Sequence, residues 1–246
     1  MAAGRTVTDG RGADRPVHSL HAYFLRPGDP RIPILYQVDR IRDGKSFTTR
    51  RVAAIQRGEP IFHLSASFHV QETGVSHQQP MPEVPDPETL PTWAEVMSPH
   101  AEALGDWYER PRPIDVRPIG EPLRTSPEDS APRAPSHRMW FRADGSLPDD
   151  PLLHSCLLAY ASDMTLLDTV MLPHGQIWKE GSQASLDHAM WFHRPFRADE
   201  WLLYDQHSPT ASGARGLATG TIYTRDGALA VSVVQEGLLR PGGARR

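Results

Sequence analysis

The chain has one cysteine, Cys156, among 246 residues. That excludes an internal disulfide and any cysteine-built zinc site, and it fits a reducing, cytoplasmic setting. Twelve histidines are present, but none shows HExxH spacing or another recognisable ligand set, so they read as surface or structural groups and no cofactor is expected. No GxSxG elbow occurs, so a serine acyl-enzyme is not indicated. The net charge of −4 and pI near 6.3 leave no basic field for nucleic acid, and the terminal Arg245-Arg246 is too short a run to hold a membrane. No apolar stretch approaches the roughly 18 residues of a membrane span. The first residues carry no apolar signal core and the last carry no peroxisomal address.

What is present is a repeat. HAYFLRP at 21–27 is echoed by AMWFHRP at 189–195, and GEPIFHLSASF at 58–68 by GALAVSVVQEG at 227–237. The two landmarks keep offsets of 168 and 169 residues, which argues for a duplicated unit. Between the landmarks both copies read as antiparallel β. The first runs through 32–41, a turn at Asp43-Gly44, 46–56, a turn at Arg57-Gly58 and 60–70; the second through 201–208, 215–224, a turn at Asp226-Gly227 and 228–239. Asp-Gly between β-rich runs is a hairpin signal, because both central residues of a type I′ turn need positive φ. The expected division is therefore a first repeat at 1–70, a linker at 71–135, a second repeat at 136–240 and a tail at 241–246. The linker holds thirteen of the 24 prolines, a density that breaks helices and ladders, with a short helix expected near 93–108.

The second copy has something the first does not. A strand at 137–142 leads to DDPLLHSCLLAYASDMTLLDTVML, 149–172. Asp150 is a good N-cap and Pro151 fits the first helical position. Leu153, Leu157, Tyr160 and Met164 keep helical spacing, as do Leu152, Cys156 and Ala159. Subtracting the offset puts the corresponding helix of the first copy ahead of residue 1, so the first repeat is expected to begin after its own helix. A strand, a central helix and a meander wrapping it describe an α+β hotdog, here a double one.

HSLHAYFLRPGD, DGKSFTTRRVAAIQ, YASDMTLL, SLDHAMWFHRPF and VVQEGLLR, in this order, resemble the type II (TesB-like) acyl-CoA thioesterase family from about Asp14 to Arg240. The resemblance implies hydrolysis of acyl-CoA to a carboxylic acid and CoA, without metal, in a chain that forms homo-oligomers. It also implies a water-activating set of Asp163, Ser185 and Gln235. On the residues alone each position has a second reading. Asp163 sits on the helix stripe, where a carboxylate needs hydrogen bonds or a raised pKa, but Ser162-Asp163 would equally cap a further turn. Ser185 reads as a strand-edge serine. Gln235 interrupts the apolar run ALAVSVV where the first copy has Ala66, and a buried amide there asks for a partner. His188 and His193 flank Met190-Trp191-Phe192 without a third metal ligand. Arg26 and Arg194 could meet CoA phosphates or anchor turns. Cys156 reads as a small core residue. Because the first copy begins after its helix, the alternative is a protein that binds acyl-CoA or a partner without turnover; enoyl-CoA hydration through an Asp/His dyad ranks lower.

Overall fold

The two echoing phrases form the seam of the molecule. In the computed structural model, which describes residues 1–7, 15–109, 113–121, 131–180 and 182–240, strand β1 (Val17–Phe24) pairs antiparallel with β8 (Asp187–Phe192). His21 lies opposite Ala189, Leu20 opposite Met190 and Ala22 opposite His188. His21 and Ala189 are the same repeat position, so each phrase is the strand through which its copy meets the other. The expected tail, 241–246, lies outside the described residues, as do 8–14, 110–112, 122–130 and 181.

The remaining strands are β2 (Leu35–Asp43), β3 (Phe47–Gln56), β4 (Glu59–His69), β5 (Ile114–Ile119), β6 (Ser136–Ala143), β7 (Ser182–Ser185), β9 (Leu202–Ser212), β10 (Arg215–Thr224) and β11 (Leu229–Arg240). They join one antiparallel sheet in the order β2-β3-β4-β1-β8-β11-β10-β9-β6-β5, with β7 on β11. The two copies contribute β2-β3-β4-β1 and β8-β11-β10-β9, mirrored about the seam, which is a double hotdog. Arg26 Nη1 donates to the Pro60 carbonyl at 2.7 Å and Arg194 Nη1 to that of Leu229 at 2.9 Å. These carbonyls are 169 residues apart, so the repeated arginines anchor equivalent turns rather than standing free for phosphate.

Three local expectations change. Positive φ at both central residues falls at Arg57-Gly58 (+51° and +81°) and at Gly213-Ala214 (+58° each), and not at the two Asp-Gly pairs, where Gly227 alone is positive. At Gly44 the glycine is needed for space instead: a Cβ there would sit 2.9 Å from the Phe47 carbonyl oxygen. Within 71–135, proline does not prevent a strand: β5 pairs with β6, and Pro118 is tolerated because β5 is the sheet edge. Upstream of β5, Met81, Val84 and Leu90 pack on Trp140, Trp201, Leu203, Tyr223 and Leu229, covering the outer face of the second copy.

The third concerns the helix. It runs Pro151–Ser162, with Asp150 capping Leu152 and Leu153 N–H, and gives way to a 3-10 segment, Leu167–Glu180. Its buried face is His154, Leu158, Ala161 and Ser162, while Tyr160 and Met164 of the expected stripe are exposed. A helix apolar nearly all round carries no periodic signal that chooses a face. Pro151–His174 is also long and apolar enough by composition to cross a membrane, contrary to expectation, with half of it buried. Its break at 163–166 and the packing of Leu158, Ala161, Leu166, Leu167 and Val170 in the main core make it a core element of the hotdog. Gly237 lets Leu167 reach β11, since a Cβ there would meet Leu167 Cδ1 at 2.3 Å. In the first copy, Ala3 and Val7 beside the short 3-10 turn Gly4–Thr6 pack on Val52, Ala66 and Phe68. Phe24 and Tyr36, farther along that face, are exposed.

Candidate active site

The break in the central helix places Asp163. It is the residue after Ser162, in helical conformation at φ −86°, ψ −12°, with its N–H turned back to Ala161. It is therefore a C-terminal residue of the helix rather than a member of its buried stripe or the N-cap of a new helix. Its side chain leaves the helix end towards β11 and meets Gln235.

Gln235 is fully buried. Its Nε2 donates to Asp163 Oδ1 at 2.5 Å and to Ser185 Oγ at 2.9 Å. Both amide hydrogens are thus committed, one to a carboxylate and one to a hydroxyl. Ser185 closes β7, opposite Gly237 of β11, which puts its hydroxyl beside Gln235. Because Ser185 Oγ accepts from the amide, its own hydrogen remains available to a third group. The three residues singled out in the sequence lie 22 and 50 positions apart and are joined here by one amide.

A fourth polar residue lies in the same place. His188, on β8, is buried, with Nε2 at 2.9 Å from Ser162 Oγ and Nδ1 at 3.8 Å from Asp163 Oδ1. Ser162 is itself fully buried and its carbonyl accepts from Tyr204 Oη at 3.0 Å. Burial pushes the Asp163 carboxyl up, opposed by His188 and by the Gln235 bond, with Asp168 adding to the rise. Burial pushes His188 down, opposed by Asp163, Gln235 and Asp187. The Asp163 side chain nevertheless keeps 41 % of its surface open. The carboxylate is held in protein on one side and reachable on the other, a setting suited to a general base.

His188 was not distinguished by spacing in the sequence. The signal lay in the repeat: subtracting 168 from 185 and 188 gives Val17 and Leu20, and Gln235 corresponds to Ala66. Leu20 and Ala66 are paired across β1 and β4. The second copy therefore has a polar cluster where the first has an apolar one. His193, by contrast, lies apart, on Ser232 Oγ at 2.9 Å. Cys156 is free and half-buried on the helix. Among the described residues no group of three or more His, Cys, Asp or Glu could hold a metal ion.

Residues 128–238 match the family profile of acyl-CoA thioesterase, and residues 1–69 that of the acyl-CoA thioesterase N-terminal domain. The chain is 42 % identical to mouse acyl-coenzyme A thioesterase 8, over 98 % of this chain and 77 % of that protein. It is 39 % identical to Haemophilus influenzae acyl-CoA thioesterase 2, over 92 % of this chain and 80 % of that one. Among solved structures, the acyl-CoA thioesterase II TesB2 of Mycobacterium marinum superposes with a TM-score of 0.81 at 46 % identity, covering 98 % of this chain and 86 % of that one. The double sheet, its central helix and these matches agree: the chain belongs to the type II, TesB-like acyl-CoA thioesterase family.

Proposed function

We propose that the chain hydrolyses acyl-CoA thioesters to a carboxylic acid and CoA by water activated at Asp163, Ser185 and Gln235. The observation that carries this reading is the Gln235 amide, buried and donating to both Asp163 and Ser185. The Gln235 bond favours the ionised carboxylate while burial makes that carboxylate a stronger base. Asp163 takes a proton from the attacking water. Ser185, whose hydrogen is not spent on Gln235, orients the water or the thioester oxygen. Attack forms a C–O bond at the acyl carbon, and collapse of the tetrahedral species breaks the C–S bond and releases the CoA thiolate. Ser185 is not placed to attack, because the amide stands between it and the carboxylate and no base contacts its hydroxyl among the described residues. Enoyl-CoA hydration would want Asp163 and His188 as a working pair, but they are 3.8 Å apart and His188 Nε2 is committed to Ser162.

Homo-oligomer formation is part of the same reading. Leu35, Tyr36 and Ile41 are 66 %, 57 % and 57 % exposed on β2, the edge of the sheet, which favours association.

The test is release of free thiol from a short, a medium and a long acyl-CoA by the purified chain, beside folded Asp163→Asn. The reading expects turnover of at least one substrate and a loss on the order of 10²–10⁴ in the variant. A folded protein silent on all three substrates supports binding without turnover instead, and formation of hydroxyacyl-CoA with no thiol released supports hydration.

A further inference from the structure

His188 is a buried titratable group that the water-activating set does not use, and its surroundings fix which nitrogen carries hydrogen. Ser162 Oγ lies 3.0 Å from the Ala159 carbonyl, 2.9 Å from His188 Nε2 and 3.5 Å from Met190 Sδ. A hydroxyl has one hydrogen, and a carbonyl can only accept. With that hydrogen given to Ala159, Ser162 accepts from His188 Nε2–H. The neutral ring then carries its lone pair on Nδ1, an atom that is buried and has no hydrogen-bond partner among the described residues. The nearest ionisable oxygen, Asp163 Oδ1, is at 3.8 Å. That is too long for a hydrogen bond and short enough for strong charge coupling.

We propose that His188 is a positioning residue of this site, with Nε2 pinned on Ser162 so that Nδ1 takes up the proton that would otherwise neutralise Asp163. This rests on the reading of Asp163 as the water-activating base. As the pH falls, the first proton to enter the pair goes to Nδ1 and forms an ion pair with a carboxylate that stays ionised. His188 acts here through Asp163, and the Gln235 amide, whose Oε1 is likewise buried without a partner among the described residues, is the other site group that bears on it. Ala22, opposite His188 on β1, carries no charge.

The other ionisable groups around it are accounted for. Asp168 of the 3-10 segment accepts from Gln183 Nε2 at 3.4 Å. Asp187, next to His188 on β8, accepts from Glu236 N–H at 2.7 Å, and Glu236 of β11 also pairs with Arg215 at 3.0 Å. Tyr204 of β9, on Ser162 O, is held neutral by complete burial. Asp163 is the only one of these within 4 Å of the free nitrogen as an ion-pair partner of His188 among the described residues. The repeat supports a functional reason for the imidazole, since Leu20 fills the equivalent inner-face position in the first copy.

Two substitutions separate the two ring nitrogens. His188→Gln keeps a group near Nε2 for Ser162 and deletes Nδ1, whereas His188→Asn keeps a neutral amide near Nδ1 and deletes the tie to Ser162. In folded His188→Gln the acid limb of kcat is expected to move to higher pH, with KM unchanged and the rate approaching wild type above the limb. His188→Asn, whose amide takes up no proton either, is expected to give the same shift. A loss uniform across pH, with the limb in place, is what a merely structural histidine gives and overturns the proposal. Independently of turnover, imidazole nitrogen NMR on wild type and Asp163→Asn reads the coupling. The proposal expects hydrogen on Nε2 in neutral His188 and a lower His188 pKa once the Asp163 charge is gone. Hydrogen on Nδ1, or an unmoved titration, overturns it. Wild type without thiol release refutes the thioesterase chemistry, and the NMR arm still decides the role of His188.

Discussion

Replacing Gln235 by leucine removes the group that joins the site. The side chain is fully buried, so the change is felt by its two partners and not by solvent. Asp163 loses a charge-assisted hydrogen bond at 2.5 Å and Ser185 a neutral one at 2.9 Å. A hydrogen bond to an ionised group contributes about 1.5–3 kcal/mol. If about 2 kcal/mol of that is expressed in the transition state, kcat falls on the order of 30-fold. Because the Gln235 bond lowers the Asp163 pKa, its loss also moves the acid limb to higher pH. The amide oxygen has no partner among the described residues and leaves with the substitution, and leucine occupies similar volume, which offsets part of the stability lost with the two hydrogen bonds. Thiol release against pH, with circular dichroism as the check of folding, reads both effects. A folded Gln235→Leu with kcat within about threefold of wild type at every pH refutes the reasoning, since no account in which Gln235 organises Asp163 survives it.

The remaining predictions concern the scaffold. Burial, with Arg133 adding to it, lowers the His137 pKa from 6.5 to about 4. The unfolded chain therefore binds more protons between those values, so this contribution is complete above pH 6.5 and is lost as pH falls towards 4, on the order of 3 kcal/mol in all. Urea unfolding of wild type and His137→Gln at pH 7 and pH 4.5 should show a smaller drop in the variant. Leu158→Ala, at a position with no exposed surface, should destabilise by about 2–5 kcal/mol through the cavity it leaves, measured by the same unfolding. Asp150→Ala removes the cap on Leu152 and Leu153 N–H and should lower stability by about 1 kcal/mol. Gly220→Ala puts a Cβ 2.3 Å from Tyr204 Cε2, and thermal melting should show a clear loss because that ring is fully buried.

The sheet was readable because its signals are local or repeated. Alternation, Gly58, Gly227 and the 168-residue echo each mark a strand, a turn or the seam without tertiary information. The helix face was not readable. Leu153, Leu157 and Tyr160 satisfy the same spacing as His154, Leu158 and Ala161, and only the approach of Leu166, Leu167 and Val170 to the sheet decides which set is covered. β5 was hidden by Pro118, whose missing N–H matters little on an edge. In the site, Asp163 and Gln235 were legible as polar residues in apolar runs, and the family resemblance supplied Ser185. His188 was not, because it follows Asp187 ahead of the apolar run 189–192 and its spacing to His193 suggests no ligand set or dyad. Its distinction is a contact with the helix end 25 residues upstream, which only folding brings about.

The central claim is that water held by Asp163 attacks the thioester directly. A single turnover in ¹⁸O-water, with enzyme in excess over acyl-CoA and the product acid read by mass spectrometry, tests it most directly. Direct attack predicts one ¹⁸O in every acid molecule from the first turnover and none in the protein. Unlabelled acid with ¹⁸O in the peptide containing Asp163 contradicts it, because the carboxylate has then acted as nucleophile, and absence of any free acid contradicts the thioesterase chemistry itself.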